Sequence, residues 1–221
     1  MKLLLRMTSI NPHPTMRYDQ PEDYHFSHDS IFLARKVFEL VQGNNLQISS
    51  VLDLCSGCGI VGIDFIFHLK KAQFTLPRHV DFLEVQEIYK PYFEKNVVRL
   101  DSTVKCSFIN ENYKNFLALE KVHHKYDLII SNPPYFREGH GTLSKSEFKN
   151  RCRFFIDANY KEFILSLDYL MANTGKAFIL VKSLDRHGID VEKEMQQFTK
   201  NLTFKKLGHI RATDLFEINK T

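Results

Sequence analysis

Two features of the 221-residue sequence predict an α/β fold built on a mostly parallel sheet. From about Ser49 onward, short apolar runs alternate with longer segments of helical period, the pattern of stacked β-α units. Two β-rich runs then close the chain, and the turn between them is too short for a crossover helix, so the sheet should end in an antiparallel hairpin. With 43% apolar side chains, 19 Phe and 9 Tyr, the chain can fill one core. A single domain over 1–221 is expected, with an N-terminal extension at 1–48 and the α/β core at 49–221.

The first strand is expected at Ser50–Leu54, followed by His79–Glu84, Val104–Ile109, Tyr126–Ser131 and Lys176–Lys182. Helical period links them over Ile60–Lys71, Glu87–Leu100, Tyr113–Glu120 and Tyr160–Met171, with Gly175 ending the last connection. A helix over Ile189–Lys200 then precedes the closing strands Phe204–Arg211 and Leu215–Asn219, which makes seven strands in all. Ahead of the sheet, Asp29–Val41 places Ile31, Ala34, Val37, Phe38 and Val41 on one helical face, and Gly43 stops it. Asp29 reads as the capping carboxylate of this extra helix. Arg137–Asn150 is the one long polar stretch without a core-facing stripe and reads as a loop.

Several classes are excluded. Nine Gly and seven Pro are too few for a collagenous or low-complexity chain. No apolar run approaches the roughly 20 residues that cross a bilayer, and Met1–Arg6 is too short for a signal-peptide core, so a cytoplasmic protein is expected. Cys55, Cys58, Cys106 and Cys152 are too few for a disulfide framework, and the Cys55-x-x-Cys58 pair lacks the second ligand pair of a zinc site. His123 and His124 are adjacent and read as a solvated turn, so no metal is expected. A net charge of +4 permits a polyanionic partner without requiring one.

Val51–Gly62 reads as a strand, a tight glycine turn and a helix start, where exposed N–H groups can meet an electron-rich ligand. Gly57-x-Gly59-x-x-Gly62 matches the dinucleotide fingerprint, but Asp53 just before the turn would repel a pyrophosphate. S-adenosylmethionine carries a sulfonium and an ammonium and no phosphate, so a carboxylate there favours it. The order Asp53-x-x-x-Gly57-x-Gly59 resembles motif I of the class I S-adenosylmethionine-dependent methyltransferases, with Cys55 where that family often has a glycine. The resemblance implies a Rossmann-like fold and S-adenosylmethionine as cofactor. Glu84, with Val85 beside it, stands one β-α unit later, where a carboxylate accepts both ribose hydroxyls. Asn110 and Glu111 occupy the place of the family's adenine-binding Asp, and Asn110 can still accept through its amide oxygen.

Tyr126–Phe136 then delivers Asn132 to the carboxyl end of a buried strand, the edge where α/β sheets bind ligands. Pro133 and Pro134 fix their own φ and hold Asn132 extended. Neither offers an N–H, so the Asn132 side chain and the Pro133 carbonyl present two acceptors to a planar amine, and Tyr135 offers a stacking face. The run resembles the Asn-Pro-Pro-Tyr motif of amino methyltransferases, whose substrates are adenine N6, cytosine N4 or the glutamine side-chain amide.

Directly after this turn, Arg137, Lys145, Lys149, Arg151 and Arg153 face only Glu138 and Glu147, leaving three net positive charges in 17 residues. Such a segment can hold phosphates while a base is flipped into a site. Together with Phe26–Ala34 and Arg151-x-Arg153, the Asn-Pro-Pro-Tyr run is similar to the bacterial tRNA adenine-N6 methyltransferases that modify an adenine beside the anticodon of a valine tRNA. That resemblance implies an RNA partner, most simply tRNA. Release-factor glutamine methyltransferases share both motifs but usually carry a helical domain before motif I, where only about 50 residues stand here. An rRNA or DNA adenine enzyme, or a non-enzymatic RNA-binding module that has kept the fold, also fits these motifs. No oligomeric partner is read from the sequence.

Overall fold

Strands that are apolar on both faces need a helical layer on each side. The computed structural model, which describes residues 16–100, 102–118, 126–137, 141–185 and 188–221, has this three-layer arrangement. The elements run α1 (His28–Gly43), β1 (Ser50–Leu54), α2 (Ile60–Lys71), β2 (His79–Glu84), α3 (Lys90–Leu100), β3 (Lys105–Asn110), α4 (Tyr113–Phe116), β4 (Tyr126–Ser131), α5 (Glu147–Arg153), α6 (Tyr160–Leu170), β5 (Met171–Lys182), α7 (Val191–Phe198), β6 (Leu202–Ile210) and β7 (Thr213–Lys220). The seven strands lie in the order β3-β2-β1-β4-β5-β7-β6. The first five are parallel, and β7 runs antiparallel to both β5 and β6, so the expected closing hairpin is present.

Alternation along each strand divides the core in two. Val51, Leu128, Ile130, Phe178 and Leu180 pack with Leu33, Val37, Phe65 and Phe93 from α1, α2 and α3. Leu52, Leu54, Ile129, Ala177 and Ile179 pack on the other face with Phe163, Leu167 and Met195 from α6 and α7. Asp53 shares the face of Val51 by strand alternation, and so is buried under α2.

The structure differs from expectation at five places. The helix expected over Glu87–Leu100 is a 3₁₀ turn at Glu87–Tyr89 followed by α3, because Pro91 has no N–H to continue a helix and is tolerated only in a first turn. α4 ends at Phe116; the end expected at Glu120, and His123 and His124, lie outside the described residues, as does Met1–Arg6. The loop expected over Arg137–Asn150 gives way at Glu147 to α5, capped by Ser146, whose Oγ accepts from the Lys149 N–H. None of its seven residues is buried, which is why no apolar stripe marks it. β5 begins at Met171, and Gly175 lies within it. There the register slips from Tyr126 opposite Met171 to Leu128 opposite Lys176, and a Cβ on Gly175 would stand 2.6 Å from the Tyr126 carbonyl oxygen.

The fifth difference concerns Asp29. α1 starts at His28 after an extended Ser27, and no side chain caps it, so Asp29 lies in the first turn with a different partner. Ahead of α1, the Asp19 backbone is strapped to α3: its N–H donates to Asn96 Oδ1 at 2.7 Å, and Asn96 Nδ2 donates back to its carbonyl at 2.9 Å. Among the described residues no helix is long and apolar enough to cross a membrane.

Candidate active site

The cleft opens at the carboxyl ends of β1, β2 and β4, and the glycine turn forms its floor. Cys55 has a left-handed φ of 61°, a conformation that glycine adopts without strain and that explains the residue usual at this place. A Cβ on Gly59 would lie 2.8 Å from the Phe93 ring, and one on Gly62 would lie 2.6 Å from the Phe82 ring, so the two glycines let α2 start directly against α3 and β2. Asp53 Oδ2 accepts the Gly62 N–H at 2.8 Å, tying the start of α2 to β1 from below. Its Oδ1 is buried without a hydrogen-bond partner, and burial pushes the carboxyl up to about 7.

Glu84 closes the turn from the side. Its Oε2 accepts the Gly57 N–H and its Oε1 the Gln86 N–H, both at 2.9 Å, and burial pushes it up to about 6. Asn110 Nδ2 donates to the carbonyls of Glu84 and Val85, which leaves its oxygen as an acceptor. Cys55, Gly57, Glu84, Val85 and Glu111 line the cleft, whereas Asp53, Gly59 and Asn110 brace it from behind. This set suits S-adenosylmethionine: a buried carboxylate at a strand end and backbone N–H groups on a glycine turn, while the two cations that line the cleft, Arg151 and Arg153, come from α5.

Asn132, Pro133, Pro134 and Tyr135 form the opposite wall. Asn132 Nδ2 donates to Ser30 Oγ of α1 at 2.8 Å, which fixes the amide orientation and leaves Oδ1 buried without a partner. An unsatisfied buried acceptor at a cleft wall costs free energy that an incoming donor restores. The Tyr135 hydroxyl donates to Asp29 Oδ2 at 3.1 Å, so Asp29 anchors this turn and does not cap α1. Burial and the Asp29 carboxylate raise the Tyr135 hydroxyl well above the usual phenol range, keeping it a donor. The turn ends in a small ladder: the Tyr135 and Phe136 N–H groups both donate to the Arg153 carbonyl, and the Phe155 N–H donates to the Phe136 carbonyl.

The basic residues expected to meet RNA divide. Arg137 is committed to Glu194 and stacks 4.0 Å above the Tyr160 ring. Arg151 is bidentate on Asp157, with Nε 3.0 Å from both oxygens. Arg153 lies over the Phe136 and Phe154 rings, at 5.2 and 5.7 Å. Lys145 is exposed and Lys149 half-buried, and neither pairs with a carboxylate among the described residues. Residues that the sequence did not single out complete the cleft: Ser30 behind Asn132, and Gln20, Tyr24 and Phe26 from the strapped segment. Only the adjacency of Ser30 to Asp29 in the N-terminal run hinted at them.

A family model described as lysine methyltransferase matches residues 27–139, from the start of α1 through the Asn-Pro-Pro-Tyr turn. The chain is 24% identical over 155 residues to a tRNA1(Val) (adenine(37)-N6)-methyltransferase of Christiangramia forsetii, covering 70% of this chain and 61% of that one. It is 28% identical over 114 residues to a release factor glutamine methyltransferase of Clostridium botulinum, covering 50% and 35%. The chain thus spans less than two thirds of each of these relatives. Among solved structures, the 16S rRNA N2 G1207 methyltransferase of T. thermophilus, in complex with AdoMet and guanosine, superposes with a TM-score of 0.62 at 14% identity, covering 90% of this chain and 45% of that one. That likeness establishes the fold.

Proposed function

Because the chain belongs to the class I S-adenosylmethionine-dependent methyltransferases, in the family described as lysine methyltransferase, we propose that it methylates an exocyclic amino group, adenine N6 of an RNA, with tRNA the favoured species. The observation that carries this reading is Asn132 Oδ1, a buried acceptor without a partner, oriented by Ser30 on the wall facing the glycine turn. When bound, S-adenosylmethionine supplies an electrophilic methyl group. Cys55, Gly57, Glu84, Val85 and Glu111 would form its seat, with Asp53, Gly59 and Asn110 bracing it from behind.

Asn132 Oδ1 and the Pro133 carbonyl take the two hydrogens of the amine. Binding both turns the nitrogen away from conjugation with its ring and frees the lone pair, and the two bonds strengthen as positive charge develops on nitrogen. Tyr135, held by Asp29, presents the aromatic face against which a flipped base stacks. Two neutral acceptors suit a neutral planar amine. A lysine side chain would arrive as an ammonium and would first have to lose a proton. The release-factor glutamine amide is the second reading, favoured by the shared planar NH₂ and by the relative in Clostridium botulinum.

The test is transfer of labelled methyl from the cofactor to total tRNA, rRNA, DNA or a release factor. Label is expected in tRNA, with Asn132→Ala lowering kcat by about a hundredfold or more at unchanged cofactor affinity. Label in protein alone would overturn the RNA assignment, and full transfer by Asn132→Ala would overturn the role of the amide.

A further inference from the structure

A second cationic surface adjoins the site and is assembled from the two ends of the described chain. Thr213 pairs with Lys182, the last residue of β5, so the turn between β6 and β7 stands at the same sheet edge as Asn132. At that turn Arg211 takes a left-handed φ of 55°. Its guanidinium lies 3.6 Å from Asp29 Oδ1, the carboxylate whose other oxygen holds Tyr135. Across from it α1 carries Phe32, Arg35 and Lys36 on its outer face. A groove runs between them, floored by Leu207 and Leu215.

The groove has the chemistry of a polyanion track. Arg35 and Arg211 are 56% and 55% exposed, and Phe32 is 37% exposed. Glu39 is the one carboxylate on its walls, shared by Arg35 and Lys36 at 3.4 Å each. Exposed pairs of this kind contribute about 0–1 kcal/mol, so both cations can exchange Glu39 for a phosphate at little cost. Arg137 and Arg151 of the basic segment, by contrast, are held in closer pairs with Glu194 and Asp157.

We propose that this groove is a second holding site for the RNA backbone, with Arg35, Lys36 and Arg211 on phosphates and Phe32 against an unpaired base. The proposal rests on the RNA reading of the active site. The contact from Arg211 to Asp29 ties the track to the tyrosine that stacks the target base. The groove and Lys145 with Lys149 then provide cations contributed by three separate parts of the chain for one strand.

The test uses the full chain and total tRNA, with binding followed by filter retention across a KCl series and methyl transfer followed in parallel. For Arg35→Glu/Lys36→Glu, the slope of log K against log [KCl] should shrink by about 2, and KM for tRNA should rise about tenfold. The milder Arg35→Gln/Lys36→Gln protein should show a smaller shift in the same direction, which guards against a folding defect. Cofactor affinity, read by calorimetry, should be unaltered in both. A wild-type slope and KM in the charge-reversed protein would overturn the groove while leaving the active-site reading intact. Absence of methyl transfer from the wild type to any RNA would instead remove the reading on which the groove rests. A dimer that the variants disperse, with KM for tRNA unchanged, would assign the groove to a second copy of the chain and overturn the proposal.

Discussion

The two turns that face each other across the cleft are built by opposite means. The glycine turn is held by its own neighbourhood: Asp53 reaches Gly62 nine residues on, and Glu84 reaches back 27 residues to Gly57. The Asn-Pro-Pro-Tyr turn has no N–H on its prolines to be held by, and its side chains are fixed from α1, with Ser30 and Asn132 separated by 102 residues and Asp29 and Tyr135 by 106. The cofactor side is therefore a local property of one β-α-β unit. The amine side exists only once the N-terminal helix has docked.

Three measurements sharpen that contrast. The largest effect is expected at Asp53. Its carboxyl is raised from 3.8 to about 7 in the fold, so between those values the folded protein binds more protons than the unfolded chain. Stability should fall as pH rises from about 4 to about 7, by at most about 1.4 kcal/mol per pH unit, and then level off. Asn at this position can still accept from the Gly62 N–H. Chemical denaturation of Asp53→Asn should show a shallower decline, with only the smaller contribution of Glu84 left, and the variant should be the more stable protein at pH 8. A wild type whose stability rises over this range would mean that the turn is not built on a protonatable brace.

Next comes Ser30→Ala, which should lower kcat about tenfold through loss of one orienting hydrogen bond, with cofactor affinity unchanged. Ser30→Thr keeps the acceptor and should restore most of the rate. Equal losses in both variants would make Ser30 a packing residue only. The smallest effect is expected at Cys55. Cys55→Gly removes the side chain from a left-handed backbone and should stabilise the protein by about 1 kcal/mol, a rise in Tm of roughly 2–4 °C. An unchanged or lower Tm would show that contacts of the Cys55 side chain outweigh the strain.

The same contrast governs what could be read from the sequence. β1, α2, β2 and β4 were expected at the residues where they lie, because each combines an apolar run with a turn signal beside it. The glycine turn and the strand-end Glu84 that braces it are legible for the same reason, since their spacing is local. α5 escapes the pattern because none of its residues is fully buried, with Phe148 and Cys152 packing only partly against the core, and Gly175 is misplaced because a bulge in β5 depends on its pairing with β4. The role of Asp29 could not emerge from its own segment, where a capping carboxylate and a tyrosine anchor look alike. The charge count after Tyr135 misled for a similar reason. Two of its five cations meet carboxylates on other segments, Glu194 and Asp157, and a second cluster forms only when α1 and the last hairpin come together.

The small ladder after Tyr135 has a consequence for how such a protein can diverge. Phe136 and Phe154 pair as a parallel bridge, and the Arg153 carbonyl takes the N–H groups of Tyr135 and Phe136. Residues 141–152 thus rejoin the body beside Tyr135 at one fixed seam. Loops closed in this way tolerate changes in length and composition without moving their anchors. Residues 141–152 are in that sense an exchangeable cassette, whose composition can change while Asn132, Pro133, Pro134 and Tyr135 stay in register.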